Sequence, residues 1–215
     1  MKIAIVGGTG KEGAGLGGRW ALAGHDIIIG SRDPERAKAT AAELRQRTGR
    51  MPIVGEGNRG AAELAAVIVL AVPWTALAET LPDLRTACRG KVVVSTVVPL
   101  TFGGPRLFTP PAAGSAAELA QTLLGDETRV VAAFHHIAAH ELAEPAADIE
   151  CDLLLCGGDA ESKVTVTELA TSLGLRVIDA GPLSNAGPLE GITALLATIN
   201  RRYKLKNSGI KITGL

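Results

Sequence analysis

The sequence predicts a doubly wound α/β fold around a mostly parallel sheet. Short β-branched runs alternate with Ala-rich amphipathic stretches, the pattern of βαβ units. Most of the runs are apolar throughout, as strands covered by helices on both faces must be. A glycine-rich turn, Gly7-Gly8-Thr9-Gly10, joins the first run to the first amphipathic stretch.

Taken in order, strands are expected near 2–6, 26–30, 52–55, 66–71, 91–95, 129–133, 152–156 and 175–179. Helices are expected near 11–23, 34–48, 74–88, 115–124, 160–173 and 185–203. Asp33-Pro34 supplies an N-cap followed by proline in the first turn. Ser115 to Glu118 has the capping-box spacing. Gly24, Gly49 and Gly174 stand where helices must stop. Residues 98–114, with Gly103-Gly104-Pro105 and Pro110-Pro111, form the longest irregular stretch, either a functional loop or a plain surface one. The strands end near residue 180. This divides the chain into an expected nucleotide-binding domain, 1–180, and a C-terminal helix and tail, 181–215.

Composition narrows the function classes. With 47% hydrophobic and 20% charged residues, the 215-residue chain reads as globular. Its 22 basic and 22 acidic residues cancel, so it has no global field for nucleic acid or an anionic membrane, and neither partner is expected. Cys88, Cys151 and Cys156 have no metal-site spacing and read as buried reduced thiols. The first apolar run breaks into glycine too soon for a secretory signal, and no apolar run reaches ~18 residues. A cytoplasmic location is expected.

The turn Gly8-Thr9-Gly10-Lys11-Glu12-Gly13 follows a strand and opens a helix, the context of a dinucleotide-binding Rossmann loop. In this reading Gly8 permits the tight turn, Gly10 lets the backbone approach a pyrophosphate, and Gly13 lets the helix pack on the sheet. The helix N-terminus offers free amides and a positive dipole end to the phosphates. The end of the second strand selects the dinucleotide. Enzymes using NAD place an acid there for the ribose 2′-hydroxyl, whereas this chain has Gly30-Ser31-Arg32, with Arg36 one turn further on. A hydroxyl and a guanidinium fork receive a 2′-phosphate, which points to NADP(H). Asp33, before Pro34, is a cap. Val72-Pro73-Trp74 after the fourth strand and Ser95 to Pro99 after the fifth lie beyond strand carboxyl ends and should border the cofactor; Trp74 fits packing equally well.

These residues resemble a known family. Gly7-Gly8-Thr9-Gly10, Gly30-Ser31-Arg32, Pro73-Trp74, Val98-Pro99, Asp179 through Asn185 and the terminal Gly209-Ile210-Lys211 together are similar to the NADPH-dependent reductases of coenzyme F420. The resemblance covers nearly the whole chain, and its late motifs are the more specific ones. It implies reversible hydride transfer between nicotinamide C4 and C5 of the 8-hydroxy-5-deazaflavin ring. It implies NADP contacts at Thr9, Gly10, Lys11, Glu12, Ser31, Arg32, Arg36, Val72, Val98 and Ala139, to which Gly8, Pro73 and Ser208 are added as cofactor-binding residues. Arg36 replaces the family's expected Lys, and Lys11-Glu12 replaces a less charged pair. The resemblance also implies a homodimer in which the C-terminal helix completes the deazaflavin pocket.

With both reacting rings belonging to cofactors, the protein must stack them and exclude water, and it needs no nucleophile of its own. Three histidines fall in Phe134-His135-His136-Ile137-Ala138-Ala139-His140. His135 and Ile137 match family positions at the deazaflavin, so His135 is expected to orient that ring and stabilise its developing charge. A structural role is the alternative. A metal held by His136, His140 and Glu144 is a further alternative, but the His-Glu-x-x-His order is absent and no metal is expected. His25 reads as a solvated turn residue. Arg201, Arg202, Lys204, Lys206 and Lys211 concentrate charge at the end of the chain, either as a helix-end complement or as a guide for the acidic tail of the deazaflavin.

Two competing functions fit parts of the sequence. An NADPH-dependent imine or ketone reductase of the β-hydroxyacid dehydrogenase-like group would need a long helical substrate domain after the last strand. A non-catalytic NADPH-sensing protein would need only the first cofactor site.

Overall fold

A computed structural model describes residues 1–104, 106–144 and 147–215. Pro105, part of the irregular stretch named above, lies outside the described residues.

The first half alternates strand and helix. It runs β1 (Lys2–Val6), α1 (Lys11–Leu22), β2 (Asp26–Ser31), α2 (Pro34–Thr48), β3 (Ile53–Gly57), α3 (Asn58–Leu64), β4 (Val67–Leu70), α4 (Trp74–Cys88) and β5 (Val92–Ser95). The second half continues with α5 (Ala116–Leu124), β6 (Arg129–Ala132), α6 (Ala139–Leu142), β7 (Asp152–Gly157), α7 (Ala160–Thr171), β8 (Arg176–Asp179), a 3-10 turn (Leu183–Asn185) and α8 (Ala186–Tyr203). All eight expected strands and six expected helices are present. The short α3 and the single-turn α6 were not expected.

The local signals act as the sequence suggests. The Asp33 carboxylate accepts hydrogen bonds from the Glu35 and Arg36 amides at the start of α2. Ser115 Oγ accepts from the Glu118 amide at 2.9 Å. Gly24, Gly49 and Gly174 all adopt positive φ. His25 differs from its expected place. It is half-buried rather than solvated, bridging the N-terminal amine and the Ser172 hydroxyl.

The eight strands form one sheet in the order β3-β2-β1-β4-β5-β6-β7-β8. Every neighbouring pair is parallel except β6–β7, so the last two strands run opposite to the rest. Alternate residues of β1 feed two cores. Ile3 and Ile5 join Leu16 and Trp20 of α1 and Val166 of α7 on one face. Ala4 and Val6 join Leu77 and Leu81 of α4, Ala117 of α5 and Leu189 of α8 on the other. Few aromatics serve these cores, but Trp20 and Phe134 meet edge to face at 5.4 Å. The three cysteines are free and buried, and burial pushes their thiols to about 11 for Cys88 and about 12 for Cys151 and Cys156.

The chain steps outward from β1 to β2 and β3, then returns to place β4 on the other side of β1. At that reversal the loops after β1 and β4 diverge and leave a crevice at the strand carboxyl ends. The C-terminal segment is bound to the same body. Glu190 of α8 accepts from the Ala116 and Ala117 amides at the start of α5. The tail runs along β7, where the Asp152 amide donates to Ile210 and the Ile212 amide donates to the Asp152 carboxylate. No described helix is long and apolar enough to cross a membrane.

Candidate active site

The loop after β1 turns sharply because Gly7 adopts φ +76. The tight-turn role expected of Gly8 therefore belongs to Gly7. Gly8 is instead a close-approach position, where an added Cβ would lie 2.7 Å from the Ile5 carbonyl oxygen. Its amide lies within bonding range of the Ile5 and Gly30 carbonyls, tying the loop to β1 and β2. Gly13 is a close-approach position on α1, where a Cβ would lie 2.8 Å from the Gly8 Cα of the loop and 3.2 Å from the Ile5 side chain of β1. At Gly10 a Cβ would meet nothing closer than 3.6 Å, so the backbone is open toward the crevice. Gly7, Gly8 and Gly10 keep the loop that leads into α1 bare of side chains at these positions, which fits a pyrophosphate at the helix N-terminus.

In front of the loop lies a cleft of about 590 Å³. Thr9, Gly10, Lys11 and Glu12 line one side, Ser31, Arg32 and Arg36 one end, and Val72 and Pro73 the opposite wall. Ser31 is buried, and its hydroxyl accepts from the Asp33 amide at 3.1 Å, leaving its proton for a ligand. Arg32 and Arg36 are exposed and make no ion pair among the described residues, so both guanidinium groups are available. Together they offer two cations to a doubly charged phosphate in this cleft. Asp33 also borders the cleft, but its carboxylate is spent on capping α2. Asn58, unnoticed in the sequence, reaches back from α3 to accept from the Gly7 amide at 3.3 Å.

The cleft continues inward past Glu12, Val72 and Pro73 into a cavity of about 360 Å³. Trp74, Thr96, Val98, His135 and Thr193 are among the other residues that line it. Trp74 has both suggested roles, lining this cavity and packing on the core beneath it. A further space of about 210 Å³ lies on the other side of His135, between Ile137, Ala139, α8 and Ser208 of the tail. The structure thus gathers the expected site residues into one connected channel from Arg32 to Ser208, with Gly8 as its buried support.

His135 stands at the centre of the inner cavities. Phe134 before it adopts φ +68, a conformation that costs a non-glycine residue energy and is sustained here by the buried Trp20 contact. The Thr193 hydroxyl donates to the His135 carbonyl at 2.9 Å and ties this turn to α8. The imidazole is buried, and neither ring nitrogen has a partner among the described residues. Buried polar groups are nearly always bonded, so this orphaned ring is the clearest mark of a ligand position in the described chain. Burial, helped by neighbouring His136, depresses its pKa to about 3. The ring is therefore neutral. It can donate one hydrogen bond and accept another, and the charge stabilisation expected of it reduces to that polarity.

The metal alternative loses its geometry. His136 is in the turn rather than on a helix. Its Nε2 lies 2.8 Å from the Asp152 carbonyl oxygen and 3.3 Å from the Leu154 amide nitrogen, so it is occupied by the backbone of β7. His140 is on α6 and faces a separate cavity with Lys11 and Arg47. Glu144 follows α6, its carbonyl accepting from Arg19, which also bonds the carbonyls of Glu141 and Ala147.

Glu12, expected as an NADP contact, borders the cleft and both inner cavities. Desolvation raises its pKa to about 7, with the Thr96 hydroxyl acting in the other direction. The sequence signal was the charged pair Lys11-Glu12, standing where the resemblance implies a less charged pair.

Residues 2–99 match the family model for coenzyme F420-dependent NADP oxidoreductase. The chain is 41% identical to the F420-dependent NADP reductase of Methanothermobacter thermautotrophicus, covering all of this chain and 96% of that protein. It is likewise 41% identical to the F420-dependent NADP reductase of Methanocaldococcus jannaschii, covering all of this chain and 99% of that protein. A crystal structure from Arthrobacter sp. FB24, provisionally named as an F420-dependent NADP reductase, superimposes with a TM-score of 0.86 over the full length of both chains at 26% identity. On full-length likeness at this level, the chain belongs to the F420-dependent NADP reductase family.

Proposed function

We propose that the chain is an oxidoreductase transferring hydride reversibly between NADP(H) and the deazaflavin coenzyme F420. The observation carrying this reading is the channel itself. A phosphate-binding loop and a 2′-phosphate end of Ser31, Arg32 and Arg36, whose one acid, Asp33, caps α2, lead into a buried cavity where His135 has no partner among the described residues. In the bound pair, the cofactors supply the chemistry, a hydride leaving nicotinamide C4 and arriving at deazaflavin C5.

The protein's residues bind, orient and dry the rings. Ser31, Arg32 and Arg36 hold the 2′-phosphate end, while Thr9, Gly10 and Lys11 present the start of α1 to the pyrophosphate. Val72, Pro73 and Val98 form apolar walls for the nicotinamide. His135, neutral and buried, aligns the deazaflavin through a hydrogen bond, with Ile137, Ala139 and Ser208 around it. Residues 1–180 serve as the NADP-binding unit and 181–215 complete the second site. Leu195 and Tyr203 of α8 are 59% and 65% exposed, apolar area suited to the homodimer that the resemblance implies. A cytoplasmic location suits an enzyme of two diffusible cofactors.

Mixing the protein with NADPH and oxidised F420 tests the reading. Loss of deazaflavin visible absorbance at a rate proportional to enzyme is expected. NADPH binding without this loss would favour the sensing function. Turnover of cyclic imines or ketones with F420 untouched would favour the alternative reductase.

A further inference from the structure

Glu12 is the acid that the cleft and the two inner cavities share. It projects from the second helical residue of α1, inward of the pyrophosphate position, toward Thr96 and His135. With the 2′-phosphate end fixed at Arg32, the nicotinamide end of the dinucleotide must fall beside this carboxyl.

The charges around it are few. Lys11 precedes it on α1 and lines the outer cleft. Arg32, Asp33 and Arg36 face the adenosine end. From the turn after β6 come His135, neutral, and His136, whose pKa burial also lowers. The segments after β4 and β5 present Val72–Thr75 and Thr96–Leu100, and α8 with the tail presents Thr193, Asn200 and Ser208. None of the residues lining the two inner cavities is Lys or Arg. A carboxylate here acts on the ring without a compensating cation, in a half-buried place where Coulomb interactions are stronger than in water.

Oxidised nicotinamide carries a positive charge on its ring and reduced nicotinamide none. We propose that Glu12 discriminates between the two redox forms of the cofactor, its carboxylate favouring NADP+ over NADPH at the ring end of the cleft. The proposal rests on the reading of this cleft as the NADP site. The linkage has a definite sign. Desolvation holds Glu12 near 7, so it is largely protonated at pH 6 and ionised at pH 8.5. The cationic ring favours the ionised form, so NADP+ binding near neutral pH expels a proton from Glu12 and NADPH binding does not. The 2′-phosphate also titrates near neutrality, but it is common to both forms and cancels in their ratio.

Dissociation constants for NADP+ and NADPH between pH 6 and 8.5 test this in the wild-type protein and Glu12→Gln. In the wild type, the preference for NADP+ should rise about tenfold across that range, and in Glu12→Gln the ratio should be flat. Calorimetry of the wild type in buffers of different ionisation enthalpy gives an independent reading should the variant fold poorly. It should show proton release with NADP+ beyond that with NADPH. A flat wild-type ratio, an unchanged slope in Glu12→Gln, or equal proton release would overturn the proposal. Should the wild type bind neither nucleotide, the reading of the cleft itself falls, and the proposal with it.

Discussion

At Arg32 the choice of cofactor reduces to a single guanidinium with no competing ion pair among the described residues, beside a hydroxyl whose proton is free. A charge-assisted contact of this kind is worth about 1.5–3 kcal/mol, or roughly 10- to 150-fold in affinity. Arg32→Ala should weaken NADPH by that factor and NADH far less. Equal loss of both in equilibrium titrations would assign Arg32 to structure. His135 presents the complementary case, because it lines the two inner cavities and not the outer cleft that holds Arg32. His135→Ala should lower single-turnover hydride transfer or deazaflavin affinity while NADPH affinity stays within about twofold, and unchanged transients would remove His135 from the site. The phosphate loop and the Ser31-Arg32 pair were legible in the sequence because they are contiguous. The neutrality of His135 and the reach of Glu12 depend on three or four segments meeting, which spacing along one chain does not record.

Among the elements, those with strong local signals were read correctly and those made by tertiary contact were not. α2 and α5 carry side-chain caps. By contrast, α3 is seven residues starting from Gly57 without a side-chain cap, and α6 is a single turn adjoining the carbonyls that Arg19 gathers. The reversed direction of β7 has no sequence signature, since an apolar strand reads the same either way. The tail is a further case, because its place follows from Asp152. That carboxylate accepts from Arg176 Nε at 2.8 Å and from the Ile212 amide at 2.6 Å, and these donors hold its pKa down at about 2. A depressed carboxylate stabilises its contacts at neutral pH and loses them as pH falls from about 4 toward 2. Asp152→Asn should therefore lower amide-exchange protection at residues 210–212 roughly tenfold at neutral pH. Because Ser208 lies just upstream in the second cavity, deazaflavin affinity should fall with it and NADPH affinity should not. Wild-type protection of these amides in the variant would show that Asp152 does not hold the tail.

For the molecule as a whole, the zero net charge conceals an uneven distribution. The described ends of α8 and the tail place Arg201, Arg202, Lys204, Lys206 and Lys211 on the surface, all of them exposed. Two of them, Arg201 and Arg202, lie in the last turn of α8, where cations complement the helix dipole. Lys204 and Lys206 lie beyond the helix, and the chain then turns back at Ser208, whose amide donates to Asn200, into the wall of the second cavity. The basic stretch thus lies along the chain between Asn200 and Ser208, both of which line the second cavity, the space proposed for a deazaflavin that bears a phosphate and an acidic tail. Attraction between exposed charges is screened over about 8 Å at physiological salt, so a steering role has a salt signature. Apparent F420 affinity should fall as salt rises. Neutralising Arg202, Lys204 and Lys206 together to Gln should flatten that slope while NADPH affinity, set at the opposite end of the channel, keeps its wild-type value and its own salt dependence. A triple variant with the wild-type F420 slope would show that these cations only finish and solvate a helix end, and that the deazaflavin enters on shape and hydrogen bonding around His135.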